Sequence, residues 1–183
     1  MMKKILIALA FIIAVPLIAA LFIKKEYQVV AQTTINQPVA VVFDYIRFLT
    51  NQDNYSVWAA MDPNMQKSAE GVDGTVGYIS RWRSENPDVG VGEAEIKAIT
   101  ENSRIDFELR FIEPFSAVAP AYMTTEATEQ GQTKVSWGFH GKMPYPMNLM
   151  LGFVDVENMI LQDLQTGLDN LKLIMEAPQE SPQ

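Results

Sequence analysis

The sequence predicts an α+β fold, in which an antiparallel sheet packs against a long C-terminal helix and one transmembrane helix precedes both. Three observations support this prediction. Residues 5–23 form an uncharged apolar run. Residues 104–112 alternate apolar and polar side chains with the period of a β-strand, and residues 147–176 carry apolar side chains three or four positions apart. After one strand and short helices, a run of strands precedes the long helix, which is typical of an α+β rather than a βαβ arrangement.

The N-terminal segment is long enough to cross a bilayer. As a helix, the 19 apolar residues 5–23 extend roughly 28 Å, close to the ~30 Å hydrocarbon core. Pro16 lies inside this run, and membrane helices tolerate proline. A cleaved signal peptide has a shorter apolar core and a small-residue cleavage site, and an all-apolar segment with lysines at both ends fits a buried soluble helix badly. We therefore expect an uncleaved single-pass anchor over residues 5–23, after an N-terminal tail of residues 1–4.

The charges that flank the anchor give its orientation. Lys3, Lys4 and the terminal amine precede the apolar run, and Lys24 and Lys25, offset by Glu26, follow it. The two sides carry equal numbers of lysines, so only the terminal amine makes the N-terminal side more positive under the positive-inside rule. This distribution of positive charge favours a cytoplasmic N-terminus and a domain on the extracytoplasmic side.

One domain is predicted over residues 27–176, followed by a disordered tail over residues 177–183. Its first part contains a strand over 27–35, a helix over 39–48 that Pro38 can start, a possible short helix over 49–55 and a loop over 58–63. Further strands are predicted over 65–70, 75–83, 91–100, 104–112, 119–129 and 133–140. A loop over 141–146 leads into the long helix, whose core-facing stripe consists of Met150, Phe153, Ile160, Leu164, Leu168, Leu171 and Met175.

The composition excludes several classes of site and partner. The chain has no cysteine and a single histidine, His140, which argues against disulfides, thiolate or multi-imidazole metal sites and a classical triad. We expect no metal and no cofactor. The net charge is −8 for the whole chain, and residues 27–183 carry 10 basic and 21 acidic side chains, hence −11. Such an acidic domain is not expected to bind nucleic acid.

Several short stretches carry a resemblance to a known superfamily. They are residues 35–38 (INQP) with 42–46 (VFDYI), Trp58 with Asp62-Pro63, 73–77 (DGTVG), Trp82 with 89–93 (VGVGE), Arg104-Ile105, 133–137 (TKVSW) and 168–172 (LDNLK). In these residues the chain resembles the START-like SRPBCC superfamily, specifically its polyketide cyclase/dehydrase and lipid transport-like branch. The resemblance implies a helix-grip (START/Bet v1-like) fold with a deep cavity between sheet and helix for apolar or lipid-like ligands. It does not imply one function, because this superfamily contains lipid carriers, hormone receptors, cyclases and chaperone activators.

Aromatic and methionine side chains are the candidate ligand contacts within such a cavity, because they suit apolar molecules of irregular shape. The alternative role for each of them is ordinary core packing. The candidates are Trp82, Phe107, Phe111, Tyr122, Trp137, Phe139, Met143, Tyr145, Met150 and Phe153.

The titratable side chains form no recognisable catalytic constellation, so no catalytic residue is assigned. By alternation, His140 lies opposite Trp137 and Phe139, on the solvated face or at the strand end. Glu93 and Glu95 share one strand face, and cross-strand pairing with arginines of the preceding strand explains them without catalysis. The loop at 142–146 either gates the cavity or sets the approach of the long helix.

Three functions follow from these observations. The first is a membrane-tethered domain that binds an apolar or lipid-like small molecule. The second is a polyketide cyclase-like enzyme, which requires a buried ionisable group with a shifted pKa. The third is a protein-interaction or stress-response module without a ligand, for which a filled core and an exposed apolar patch are the expected signs.

Overall fold

The computed structural model describes residues 2–178 and confirms the predicted α+β class. The α-helices are α1 (Met2–Ala20), α2 (Val39–Ile46), α3 (Val57–Met61) and α4 (Val156–Glu176). The strands are β1 (Glu26–Ile35), β2 (Gln66–Glu70), β3 (Ile79–Arg83), β4 (Val91–Thr100), β5 (Arg104–Glu113), β6 (Ala117–Ala127) and β7 (Thr133–Lys142). Two 3₁₀ helices span Leu49–Asn54 and Met147–Gly152.

The seven strands form one antiparallel sheet in the order β1-β7-β6-β5-β4-β3-β2. The antiparallel pairing brings the start of each strand beside the end of its neighbour, so the strand ends form two opposite edges of the sheet. Glu26 pairs with Lys142, Val91 with Glu113, and Gln66 with Arg83. These pairs lie at the end where the chain leaves α1, which we call the anchor end. The opposite end, where Ile35 pairs with Thr133, is called the far end.

The packed core lies towards the far end. There the inward side chains of the sheet are large and fully buried, among them Ile35, Ile105, Met123 and Val135. Helix α2 and the second half of α4 cover them with Val42, Phe43, Ile46, Leu168 and Leu171, each no more than 1% exposed. The far end is thus closed by buried apolar side chains of the sheet and both helices.

The long C-terminal helix begins at Val156 and not at residue 147, so the predicted helix over 147–176 was wrong in its first part. Residues 147–152 form a 3₁₀ helix, and Asp155 starts α4 by accepting a hydrogen bond from the backbone N–H of Asn158. The predicted core stripe is therefore wrong at Met150, which is 44% exposed, and at Phe153, which is 83% exposed. Asp155 is the N-cap residue at which a new helix starts. The apolar residues keep the same spacing on both sides of this boundary, so their periodicity does not reveal it.

Other segments also differ from the prediction. Residues 57–61 form α3 where a loop was expected, and β3 begins at Ile79 rather than at residue 75. Gly74 and Gly77 have positive φ angles, and such turn geometry separates this segment from the strand. Ala177 and Pro178 have no helical or strand structure; the rest of the predicted tail, residues 179–183, and Met1 of the predicted N-terminal tail lie outside the described residues.

Helix α1 is long and apolar enough to cross a membrane, and 0% of its most apolar 18-residue stretch is buried. A signal sequence passes the same test of length and composition. The helix ends at Ala20, and five residues connect it to β1. The junction is held by the domain: the buried Asn148 side chain donates hydrogen bonds to the carbonyl oxygens of Ala20 (2.6 Å) and Ile23 (2.9 Å). The first of these bonds satisfies a carbonyl group at the C-terminal end of α1, where no partner within the helix is available, and the second holds the connecting segment.

Candidate ligand-binding cavity

A cavity of about 280 Å³ lies between the sheet and the first half of α4, on the anchor side of the packed core. Ile160 and Leu164 of α4 form its roof. Its walls are completed by the 3₁₀ helix Leu49–Asn54, by α3 and by the loop between β3 and β4. The same helix therefore closes the core with its C-terminal half and covers the cavity with its N-terminal half.

Small side chains on the inward face of the sheet create this space. Ser80 and Ala94 are cross-strand partners, and Ala94 in turn pairs with Leu109. Ala121 lies on the neighbouring row beside Phe139. In the next row towards the anchor end stands Gly92, where a Cβ atom would lie 2.5 Å from Cζ2 of Trp82. Small residues at these positions leave a void that Ile and Met residues fill at the far end.

All three tryptophans of the chain line the cavity. Trp137 packs edge-to-face with Trp58, with ring centroids 6.5 Å apart, and on its other side with Tyr55 at 5.6 Å. Trp82 packs edge-to-face with Phe111 at 6.3 Å, which is the preferred geometry of aromatic pairs. The rigid rings give the cavity a predominantly apolar, preformed wall.

Charged side chains occupy the rim of the cavity. Lys67 pairs with Asp53 at 2.8 Å, and their side chains are 38% and 44% exposed. Arg81 is similarly exposed and its guanidinium turns away towards Glu70 and Glu93. Asp88 lies exposed on the loop between β3 and β4. Among the described residues, every ionisable side chain on the wall is therefore in contact with solvent.

The structure brings four of the ten predicted contacts together on the cavity wall: Trp82, Phe111, Trp137 and Phe139. Phe107 is 4% exposed and belongs to the packed core. Tyr122 pairs with Gly138, so the strand alternation places its ring on the outer face of the sheet, stacked 4.2 Å from the guanidinium of Arg104. Tyr122 lies outside the cavity because it is on the opposite face of the sheet from Phe139. Phe107 shares the row of Ala121 and Phe139, but its ring is buried among core side chains and does not reach the cavity.

The four remaining predicted contacts lie near the anchor end, away from the cavity wall. Met143 follows β7, and its backbone N–H donates to the carbonyl oxygen of Lys25 at 2.8 Å. Tyr145, Met150 and Phe153 are exposed side chains of the segment before α4. Sequence periodicity placed Met150 and Phe153 on the core stripe because it could not show that α4 begins after them.

Several wall residues were not among the predicted contacts. Trp58, Leu49 and Met65 lie on segments between β1 and β3, and Ile160 and Leu164 belong to the helix stripe. Trp58 was part of the family resemblance, which is the one signal that could have drawn attention to it. The small residues Ser80, Ala94 and Ala121 carry no sequence signal for a cavity, because alanine and serine are common in strands of every kind.

The carboxylates considered for acid–base chemistry lie on the outer face of the sheet, in an ion-pair network. Glu93 accepts hydrogen bonds from Arg81 (2.9 Å) and Arg110 (2.5 Å), and Glu95 accepts from Arg110 (2.7 Å). The Arg110 hydrogen bond is the main reason that the pKa of Glu93 and the pKa of Glu95 lie below the usual carboxyl value. His140 also lies on this face, with its ring centroid 6.3 Å from that of Tyr122. Cross-strand pairing therefore accounts for the carboxylates. The expected partner on the preceding strand is found for Glu93 in Arg81, whereas Glu95 pairs with Arg110 of the following strand β5.

With the geometry described, comparison with known proteins identifies the family. The family model described as "Polyketide cyclase / dehydrase and lipid transport" matches residues 26–176. The chain belongs to this family. No curated protein sequence is significantly similar to it. This membership confirms the resemblance drawn from the sequence. All residues that line the cavity lie within the matched region.

Solved structures show the same fold at low sequence identity. A protein from Mesorhizobium loti superimposes with a TM-score of 0.60 at 13% identity, covering 84% of this chain and 100% of that one. The Aha1 dimer from Colwellia psychrerythraea gives 0.57 at 13% identity, covering 84% and 99%. The major latex-like protein 151 of Panax ginseng gives 0.55 at 15% identity, covering 84% and 99%. At such identities the likeness establishes the fold alone.

Proposed function

We propose that this domain binds one apolar or lipid-like small molecule in the cavity between the sheet and α4, and that α1 holds it at a membrane. The observation that carries the binding proposal is the cavity itself. Its wall combines three tryptophans with aliphatic side chains, and charged groups are confined to its rim. Proteins of this family generally take small hydrophobic ligands, which agrees with such a wall.

The dimensions of the cavity limit the ligand. Its volume of about 280 Å³ is just below the roughly 300–1,000 Å³ that is usual for small-molecule sites. One small molecule or one short acyl chain matches that space. Affinity then comes from removing apolar surface from water, at roughly 25 cal/mol per Å². The Lys67–Asp53 pair at the rim offers hydrogen-bonding groups for a polar end of the ligand.

The tether proposal rests on α1. Of its most apolar 18-residue stretch, 0% is buried by the described residues, and the domain that follows carries a net charge of −11. A domain of that charge is repelled by anionic headgroups, so a hydrophobic helix is a suitable means of attachment. Tethering raises the local concentration of a ligand that resides in the bilayer. The terminal amine beside Lys3 and Lys4 supports an extracytoplasmic domain, and protection of residues 27–178 from protease added to the cytoplasmic side tests it.

The experiment uses the full chain in phosphatidylcholine nanodiscs and a brominated fatty acid as the probe. Bromine quenches tryptophan on contact, and all three tryptophans line the cavity. We expect saturable quenching in the wild-type chain and its loss in Ala94→Leu, which fills part of the cavity. Mass spectrometry of the chain purified without added ligand should also detect a co-purifying apolar molecule. Quenching that is equal in both proteins, with no co-purifying molecule, contradicts the proposal.

No reaction is proposed. Acid–base catalysis on a bound substrate needs an ionisable group whose pKa is shifted towards the working pH. Burial away from water is a usual cause of such a shift. In the described part of the chain, the ionisable groups of the cavity wall stand at its rim in solvent. The arrangement therefore supports binding better than turnover.

A further inference from the structure

Three exposed phenylalanines and two exposed methionines lie at the anchor end of the domain. Phe153 is 83% exposed, Phe22 86% and Phe115 70%. Met147 and Met150 are exposed by 42% and 44%. Single exposed apolar residues are ordinary on a soluble protein, whereas several large ones on one end of a domain indicate a surface that contacts something apolar. We call these five residues the anchor-end surface.

The sheet register places the most distant member of this surface at the same end as the others. Phe115 lies in the turn between β5 and β6, immediately beyond the pair Phe111 and Ala117. Lys142, at the end of β7, pairs with Glu26, the first residue after the junction with α1. Because the strands are antiparallel neighbours, the β5–β6 turn and the start of β1 lie at one edge of the same sheet.

The junction between α1 and the domain is bonded at several points. Asn148 holds the carbonyl oxygens of Ala20 and Ile23, and Lys24 forms an ion pair with Glu157 at the start of α4. Gly152 allows Ile23 to approach closely, since a Cβ atom there would lie 2.8 Å from Cδ1 of Ile23. The position of the 3₁₀ helix Met147–Gly152 relative to the end of α1 is therefore set by direct contacts and not by a free linker.

We infer that the anchor-end surface lies in the interface of the bilayer that α1 enters. This inference rests on the proposed membrane tether. If α1 crosses a bilayer, its last turn is at the bilayer surface, and the bonded junction brings residues 147–153 to the same depth. Phenylalanine and methionine side chains gain free energy by leaving water there, and no basic patch is required. The occupant of this surface is thus the lipid of that same membrane.

This placement has a consequence for the cavity. Trp82 and Phe111 flank Gly92 in the row next to the anchor-end pairs of Val91, and both belong to the cavity wall. Contact between the anchor-end surface and the bilayer therefore brings the cavity half of the domain, rather than the packed core, next to the lipid. An apolar ligand then has a short path between membrane and cavity.

The absence of natural cysteines allows a direct test with single spin labels. The full chain is reconstituted into phosphatidylcholine vesicles, with one label per protein at Phe115→Cys, Phe153→Cys, Phe11→Cys or Leu173→Cys. Leu173 is 72% exposed on the last turns of α4, towards the far end, and is the matched control. Phe11 lies in the middle of α1 and reports on the tether alone. Collisions with oxygen, which concentrates in lipid, are compared with collisions with a water-soluble nickel complex.

We expect oxygen collisions to dominate at residues 11, 115 and 153, and nickel collisions to dominate at 173. The double variant Phe115→Ser/Phe153→Ser should then increase nickel collisions at a label on Met150→Cys at least several-fold. Lipid exposure at 11 combined with aqueous labels at 115 and 153 overturns this inference and leaves the tether intact. An aqueous label at 11 overturns the tether and with it this inference. Labels at 153 that broaden each other's spectra, while shielded from both reagents, indicate a second copy of the chain as the partner and also overturn it.

Discussion

Filling the cavity at Ala94 should stabilise the protein and weaken ligand binding together. Ala94 is 7% exposed, and both of its cross-strand neighbours, Ser80 and Leu109, belong to the cavity wall. Leucine adds three carbon atoms, worth about 2.4 kcal/mol at ~0.8 kcal/mol per buried methylene. Ordering the longer side chain costs about 0.5–1 kcal/mol. We therefore expect Ala94→Leu to raise the free energy of unfolding by about 1.5 kcal/mol.

The sign of this change depends on the empty space beside residue 94. Ala31 provides the control, because it faces inward on the same sheet, pairs with Trp137 and is 1% exposed in the packed core. There the same substitution has no space to occupy and should destabilise the protein by about 1–3 kcal/mol through overpacking. The two variants differ only in whether the added carbons meet a cavity or packed atoms.

Thermal unfolding followed by far-ultraviolet circular dichroism measures the stability of both variants. For a chain of this size, a gain of about 1.5 kcal/mol raises Tm by roughly 3–6 °C. Tryptophan quenching by the brominated fatty acid should lose at least tenfold in affinity in Ala94→Leu, which corresponds to about 1.4 kcal/mol. If Ala94→Leu lowers Tm as Ala31→Leu does, the cavity is not as described. If it raises Tm but leaves quenching unchanged, the ligand binds elsewhere.

Three further predictions concern the supports of the cavity, the outer face and the anchor. Asp73 accepts backbone hydrogen bonds at the start of the 3₁₀ helix that forms one cavity wall, at 2.8 Å from Leu49, so Asp73→Ala should cost about 1–2 kcal/mol in urea denaturation. Arg110 lowers the pKa of Glu93, so the stability of that contact is present above the usual carboxyl pKa of 4.5 and is lost as the pH falls through the lowered value. In Arg110→Met the free energy of unfolding should therefore change less with pH below about 4.5, and an unchanged slope refutes this role. Asn148→Ala removes the buried hydrogen bonds to the end of α1, so trypsin should cleave the junction faster than in the wild type, and equal rates contradict a bonded junction.

Strand β5 and helix α4 illustrate what the periodicity of the sequence predicts and what it does not. The alternation of apolar and charged side chains in β5 predicted its first residue, its end to within one residue and its buried face, since Ile105 and Phe107 are inside. In contrast, the apolar stripe of α4 continued in the prediction through Phe153, which is exposed. Periodicity reports which side chains share a face but not where a helix starts. The hydrogen bond from Asn158 to Asp155 that starts α4 is a local feature that periodicity does not contain.

The sequence by itself determined the class of fold, the family and the presence of a long apolar N-terminal segment, because these depend on the order of elements and on repeating patterns along the chain. Only the tertiary structure decided where the cavity lies and which residues form its wall. Its position follows from strand register, which sets Ala94 and Ala121 beside the tryptophans and sets larger side chains at the far end. The tertiary structure alone also decided that Asn148 bonds to the end of α1, since residues so far apart in sequence meet only when the sheet brings both ends of the chain together.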